Sequence, residues 1–257
     1  MSGPDVDQRA VAYAEDLAFI HDAGFGHIAR GAARTLIDQL QFERRTGGLV
    51  VELACGSGIS SELLVNAGYE VLGYDLSPEM IELATRRVPD ASFQAQSLYD
   101  AAIPRCLAVT AIGEAFNYLF DPRAGFGAMV EVFARVYAAL EPHGILLFDV
   151  AQPGRALPRM EHNRFDGEGW WVTSEAVEIP GARRMERRIV STRRMPAGGE
   201  RRSEELHELA LYDHEEVHAA LVETGFVPRS LASYSGEYLF TLGHGGFVAV
   251  KPGRPAP

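Results

Sequence analysis

The chain has 257 residues, with 24 basic against 35 acidic side chains for a formal charge of −11, and 47% of it is hydrophobic. That suffices for one large domain, or one domain carrying an insertion, while an acidic balance disfavours nucleic acid and polybasic membrane contacts. Only Cys55 and Cys106 are present, which excludes a disulfide scaffold and predicts a reducing, cytoplasmic setting.

The opening Met1–Ser2–Gly3–Pro4–Asp5 lacks the basic and apolar regions of a secretory signal. No run approaches ~18 consecutive apolar residues, so no membrane span is expected.

In chain order, Ala10 to Leu40 is helix-rich, broken between Asp22 and Gly26. Leu49 to Leu53 is a compact apolar run ending in Ala54–Cys55–Gly56–Ser57–Gly58, a strand followed by a tight turn. A helix is predicted from Ser60 to Asn66, stopped by Ala67–Gly68, and a second strand from Glu70 to Tyr74, closing at Asp75. Ser77 then caps a helix with Pro78 at its first position, and Leu83, Ala84 and Val88 continue its face until Pro89. Ser92 to Ala95, Cys106 to Ile112 and Gly144 to Asp149 supply three further strands. Between the last two, Phe126, Met129, Val130, Phe133, Val136, Tyr137 and Leu140 recur at helical spacing and are expected to be core. Strands separated by helices imply a parallel sheet covered on both faces.

Beyond Asp149 the pattern changes. Trp170 to Ile179, Met185 to Met195 and Glu204 to Tyr212 alternate and are rich in charge, with turns at Pro180–Gly181 and Pro196 to Gly199, predicting an antiparallel meander. A helix follows from Glu215 to Thr224, then strands from Phe226 to Tyr234 and Gly246 to Val250, and the tail from Pro252 to Pro257 is expected to fray. The expected organisation is an N-terminal helical lid over 1–46, a core over 47–153 and 213–251, and a β insertion over 154–212 capping the substrate.

The informative chemistry lies between Val50 and Gly58. An acidic residue near a strand end precedes a turn with little side chain, so a ligand can lie against bare backbone while the next helix directs unpaired N–H groups at an anionic moiety. Asp75, 17 residues beyond Gly58, is placed to accept both hydroxyls of a ribose. Open α/β sheets bind nucleosides at the carboxyl ends of their strands. A dinucleotide fingerprint would need G-x-G-x-x-G, but the third position falls on Ile59 or Ser61, which disfavours a nicotinamide oxidoreductase.

The pattern acid-x-small-x-Gly-x-Gly from Glu52 to Gly58, with Gly73 to Met80, Phe93 to Leu98 and Leu140 to Asp149, closely resembles the class I S-adenosylmethionine-dependent methyltransferases, clearly over residues 45–150. The resemblance implies an α/β fold with a doubly wound, mostly parallel, Rossmann-like sheet of seven strands whose last strand is antiparallel. It also implies S-adenosyl-L-methionine as cofactor. By position, Glu52, Ala54, Cys55, Gly56 and Gly58 would frame its methionine moiety and Asp75 its ribose. Leu76 and Met80 would flank the adenine, Ser97 and Leu98 would meet its edge, and Ile112 with Gly113 would offer backbone to the amino group. Three departures stand out. Ala54 replaces the usual first Gly and is tolerable at negative φ, Ser97 stands where an Asp often accepts from the adenine amine, and His143 within a usual Pro-Gly-Gly is structural.

Methyl transfer relies mainly on alignment, so the sequence conceals the acceptor. Glu114, Asn117 and Tyr118 follow the fourth strand, with Glu114 the first choice for orienting the acceptor or removing a proton. Tyr13, His21 and Phe25 on the lid, His162 and Trp171 in the insertion, and Tyr234 are further candidates, with Tyr13 also expected to contact the cofactor. Cys55 before a helix could be reactive, but a small residue facing the cofactor explains it better, and Trp170–Trp171 is either a substrate wall or an anchor. The eight histidines show no metal-site spacing. From Ala182 to Arg202, eight Arg stand against Glu186 and Glu200; pairing to nearby Glu is favoured over recruitment of an anionic acceptor. The expected function is methyl transfer to a small-molecule acceptor, without nucleic acid or membrane and with a homodimer left open. The alternative is a non-catalytic nucleoside-binding sensor or partner subunit.

Overall fold

The computed structural model describes residues 12–156, 161–179 and 181–253. Two helices lead, α1 (Glu15–Gly24) and α2 (His27–Phe42), and the alternating core follows: β1 (Gly48–Leu53), α3 (Ile59–Asn66), β2 (Tyr69–Asp75), α4 (Pro78–Arg87), β3 (Ser92–Ala95), β4 (Cys106–Ala111), α5 (Phe126–Ala139) and β5 (Leu140–Ala151). Four long strands come next, β6 (Glu161–Gly167), β7 (Trp170–Ile179), β8 (Arg184–Arg194) and β9 (Glu200–Ala210). The chain then returns through α6 (His214–Thr224), β10 (Val227–Leu231), the short pair β11 (Ser233–Tyr234) and β12 (Tyr238–Leu239), and β13 (His244–Val250).

The main sheet has the order β10-β13-β5-β4-β1-β2-β3. β1 pairs in parallel with β2 and β4, whereas β13 runs antiparallel to both β5 and β10. This is the doubly wound, mostly parallel seven-stranded sheet that the resemblance implies. Because β1, β4 and β5 are covered on both faces, they read as continuous apolar runs rather than alternating ones. On one face Val51, Leu53, Val109 and Phe148 pack with Phe133 and Val136 of α5 and Leu221 of α6. On the other, Val50, Val71, Ala108 and Leu147 pack with Leu36 and Leu40 of α2 and Leu64 of α3.

Local signals set the helix ends. The Ser77 side chain accepts from the Met80 amide at 3.1 Å, with Pro78 at the first helical position. Asp213 caps α6 through the Glu215 amide at 3.0 Å, and Gly225 ends that helix at φ 105°.

The insertion is a separate antiparallel sheet in the order β6-β7-β8-β9. β6 is a strand that the sequence reading lacks. Its residues Arg164, Phe165, Asp166 and Gly167 are all exposed, so this edge strand has no apolar alternation to announce it. Of the turns expected in the meander, Gly181 is described and Pro180 lies outside the described residues, as does the tail beyond 253. Trp170 packs with Leu17 and Ile20 of α1 and with Val172 and Ile189, so it anchors α1 to the insertion.

Candidate active site

Strand order reverses between β1 and β4, the place where open α/β sheets bind ligands. The turn after β1 leaves the strand at Ala54 and reaches α3 through Gly56 at φ 54° and Gly58 at φ 76°. A Cβ added at Gly56 would meet nothing within 4 Å, so its backbone lies bare to the cleft. One added at Gly58 would lie 3.0 Å from Ala84 Cα, so the glycine lets α3 and α4 approach closely. Ala54 corrects the sequence expectation: its φ is +63°, not negative, and an L-residue holds a left-handed position that costs about 1–2 kcal/mol.

The Asp75 carboxylate accepts from the Gly56 amide through Oδ2 and from the Ser77 amide through Oδ1, both at 2.9 Å. Burial raises its pKa, and those amides counter the rise. Each oxygen keeps a second lone pair, so the pinned carboxylate can still accept a vicinal diol. Glu52 is buried beneath the turn, accepts from the Ser61 hydroxyl, and has its pKa raised by burial. Burial also pushes the Cys55 thiol well above its ordinary range, consistent with an inert small residue facing the cleft.

One cleft of about 1190 Å³, counting its open mouth, brings most of the expected cofactor positions together. Glu52, Ala54, Cys55, Gly56, Asp75, Leu76, Met80, Ser97, Leu98, Ile112, Gly113 and Tyr13 all line it; Gly58 does not, standing behind the turn as the cap of α3. Leu76, Met80, Leu98 and Ile112 give the cleft apolar lining in addition to the bare turn and Asp75. Asp149 braces the β4 end by accepting from the Gly113 and Glu114 amides at 2.8 and 2.9 Å. It also accepts from the Tyr234 hydroxyl at 2.9 Å and lies 2.7 Å from His244 Nε2. These residues fit a nucleoside with a flexible amino-acid arm.

The cleft is also lined by Tyr13, His21, Phe25 and Tyr118, together with Ile28 and Phe120, which the sequence reading missed. The Tyr13 and Tyr118 hydroxyls are 3.1 Å apart, and Arg187 donates to the Tyr118 oxygen at 3.1 Å. The His21 ring meets Tyr13 edge-on at 5.3 Å, and its buried Nδ1 has no hydrogen-bond partner among the described residues. Burial lowers its pKa to about 4, which keeps the ring neutral near pH 7.

Glu114 behaves differently from the sequence expectation. Its side chain is not among the cleft lining; it accepts from Arg155 Nε at 2.5 Å and Arg187 at 2.9 Å. Burial alone would raise its pKa, but Arg187 and Arg155 outweigh burial and draw it to about 2. A carboxylate so held is a poor proton acceptor. Asn117 is also structural, bonding the Ala151 amide and the Ala151 and Ala210 carbonyls. Trp171 lies on the outer face of the insertion with Arg188 and Arg202, and Tyr234 is fully buried on Asp149, so neither reaches the cleft. The His162 side chain lies outside the described residues.

Residues 50–144 match the family model described as a methyltransferase domain. The chain carries a methyltransferase domain. Over 115 residues it is 34% identical to the methyltransferase candidate YqeM of Bacillus subtilis (strain 168), a match spanning 40% of this chain and 42% of that relative. Over 234 residues it is 24% identical to the dTDP-3-amino-3,4,6-trideoxy-alpha-D-glucopyranose N,N-dimethyltransferase of Streptomyces venezuelae, covering 83% of this chain and 91% of that one. An S-adenosylmethionine-dependent methyltransferase from Clostridium acetobutylicum ATCC 824 superposes with a TM-score of 0.76 at 17% identity, over 92% of this chain and 98% of that one. The methyltransferase domain therefore has the fold of the S-adenosylmethionine-dependent enzymes, and its matched segment contains the Gly56 turn, Asp75, Ser97 and the β4 end.

Proposed function

We propose that this chain transfers a methyl group from S-adenosyl-L-methionine to a small acceptor whose reacting end is uncharged. The observation that supports this most is that one cleft carries both a bare Gly56 turn with Asp75 and a neutral, largely aromatic set made of Tyr13, His21, Phe25 and Tyr118. When bound, the cofactor supplies a methyl group activated on a sulfonium with a neutral leaving group. Gly56 and Asp75 would hold its amino-acid arm and ribose, and Leu76, Met80 and Leu98 its adenine.

The protein's own contribution is alignment and exclusion of water, and well-oriented reactants account for roughly 7–11 kcal/mol of barrier lowering. His21, neutral and with a nitrogen that has no hydrogen-bond partner among the described residues, is the side chain we assign to hydrogen-bond the acceptor nucleophile; Tyr118 and Tyr13 orient that nucleophile. The aromatic faces add about 0.5–2 kcal/mol toward a sulfonium. An anionic acceptor has less support. Of the eight arginines between 183 and 202, seven lie 3.8 Å or less from a carboxylate of this chain, including Arg187 on Glu114 and Arg193 and Arg201 on Asp16.

The Streptomyces venezuelae relative is named for an amino sugar, and we infer an amine-bearing ring as the acceptor class to try first. The two cysteines suit a cytoplasmic setting. The test is transfer of labelled methyl from S-adenosylmethionine to a panel of amino sugars and small amines. Transfer to at least one, reduced in His21→Gln, is expected. No transfer to any of them, with cofactor binding intact, would favour the sensor alternative.

A further inference from the structure

Ser97 and Asp121 stand together on the cleft wall beside Leu76 and Leu98. The Ser97 hydroxyl is 2.5 Å from Asp121 Oδ2. Asp121 Oδ1 accepts from the Arg123 amide and Nε, each at 2.9 Å, and Oδ2 accepts from an Arg123 terminal nitrogen at 2.6 Å. Arg123 is itself steadied by a fork onto Asp100 at 2.5 and 2.7 Å. Hydrogen bonds from Arg123 hold the Asp121 carboxyl far below the usual range, so it stays ionised.

An ionised carboxylate only accepts, so the proton in the short contact belongs to Ser97. With that proton committed, Ser97 Oγ can only accept. One lone pair receives the Tyr99 amide at 3.3 Å and the other is left for the cleft. Asp121 has no such capacity, because both of its oxygens already take two bonds.

We propose that Asp121 is a positioning residue that fixes Ser97 as an acceptor facing the purine, so that the cleft selects a purine with an amine at C6 over one with an oxo group there. This rests on reading the cleft as the S-adenosylmethionine site. An adenine amine donates into the Ser97 lone pair. A hypoxanthine oxygen would place lone pair against lone pair, and sites built to bond one polar pattern reject its mismatch strongly.

The test is calorimetric titration of the full chain with S-adenosylhomocysteine and S-inosylhomocysteine. The wild type is expected to prefer the adenosyl ligand by about tenfold or more. Asp121→Asn lets the amide donate to Ser97 and turns the hydroxyl proton outward, so the preference should fall to about threefold or less, mainly through tighter binding of the inosyl ligand. Ser97→Ala should lose the preference through weaker adenosyl binding, and Asp100→Asn should retain it. Equal affinities in the wild type, or an unchanged preference in Asp121→Asn with an unaltered melt, overturn the proposal. Should Asp121→Asn not fold, an unchanged preference in Ser97→Ala overturns it instead. Absence of any S-adenosylhomocysteine binding by the wild type overturns the cofactor reading itself; tight binding without preference overturns only this inference.

Discussion

Ala54 and Glu114 both hold left-handed backbone at the rim of the site, at φ 63° each. Removing the Cβ at position 54 relieves about 1–2 kcal/mol of strain and returns roughly 0.5–1 kcal/mol of chain entropy to the unfolded state. Ala54→Gly is therefore expected to stabilise the protein by about 0.5–1 kcal/mol in chemical denaturation; a loss of stability would show that the methyl group makes compensating contacts. Glu114→Gln leaves Arg155 and Arg187 without their counter-charge in a buried setting. A cost of about 3–5 kcal/mol to folding is expected from such an unpaired charge, visible as a lower denaturation midpoint. An unchanged midpoint would return Glu114 to the list of catalytic candidates. That most of the residues expected around the cofactor line one cleft was legible because they sit at strand ends and turns within one continuous segment. The role of Glu114 was not, because its partners lie 41 and 73 residues away and neither spacing has a local signature.

Among the elements, α1 matters most for access to the cleft, since Tyr13 and His21 reach the lining from its two ends. Two kinds of contact tie it down. Buried Asp16 receives Arg201 at 2.8 and 2.6 Å and Arg193 at 3.1 Å, and the Tyr13 and Ala14 amides donate to Glu205 at 3.0 Å each. Arg193 also lies 3.7 Å over the Phe19 ring. Asp16→Ala should raise amide exchange in α1 by tenfold or more on the order of a lost charged anchor, while β1 and β4 stay protected. Equal exchange in α1 before and after the substitution would show that Trp170 packing alone holds the helix. The sequence displayed α1 and the meander by periodicity, yet not their docking, because the arginine-rich strands spread their partners over α1, α6 and β9. β6 escaped notice for the complementary reason, having too little buried apolar surface to leave a period.

For the whole molecule, the acid side of the stability curve carries the signature of the site. The pKa of His21 falls from 6.5 when unfolded to about 4 when folded, so the unfolded chain binds the extra proton between those values. Its contribution is therefore fully present above about pH 6.5 and lost as pH falls toward 4. At about 1.36 kcal/mol per unit this amounts to roughly 3 kcal/mol. Glu52 and Asp75, raised by burial, act in the opposite sense, so the quantity to compare is the slope of wild type against His21→Gln. The variant should have a shallower dependence between pH 6.5 and 4; identical slopes would mean that the imidazole is solvated in the native state. The sheet order was legible at this scale, since continuous apolar runs, capped helices and the acid closing β2 all agree. The acceptor was not, because the residues proposed to face it come from the region of α1 and α2 and from the segment after β4, which share no motif.

The central claim is that the crevice above β1, β2 and β4 holds the methyl donor, and a crystal structure of the chain with S-adenosylhomocysteine tests it most directly. The account predicts the ribose diol on Asp75, the amino-acid arm along Gly56, the purine amine on Ser97, and the sulfur turned toward His21 and Tyr118. Density for the ligand at any other site, or a purine lodged against the aromatic wall with Asp75 left bare, would contradict it.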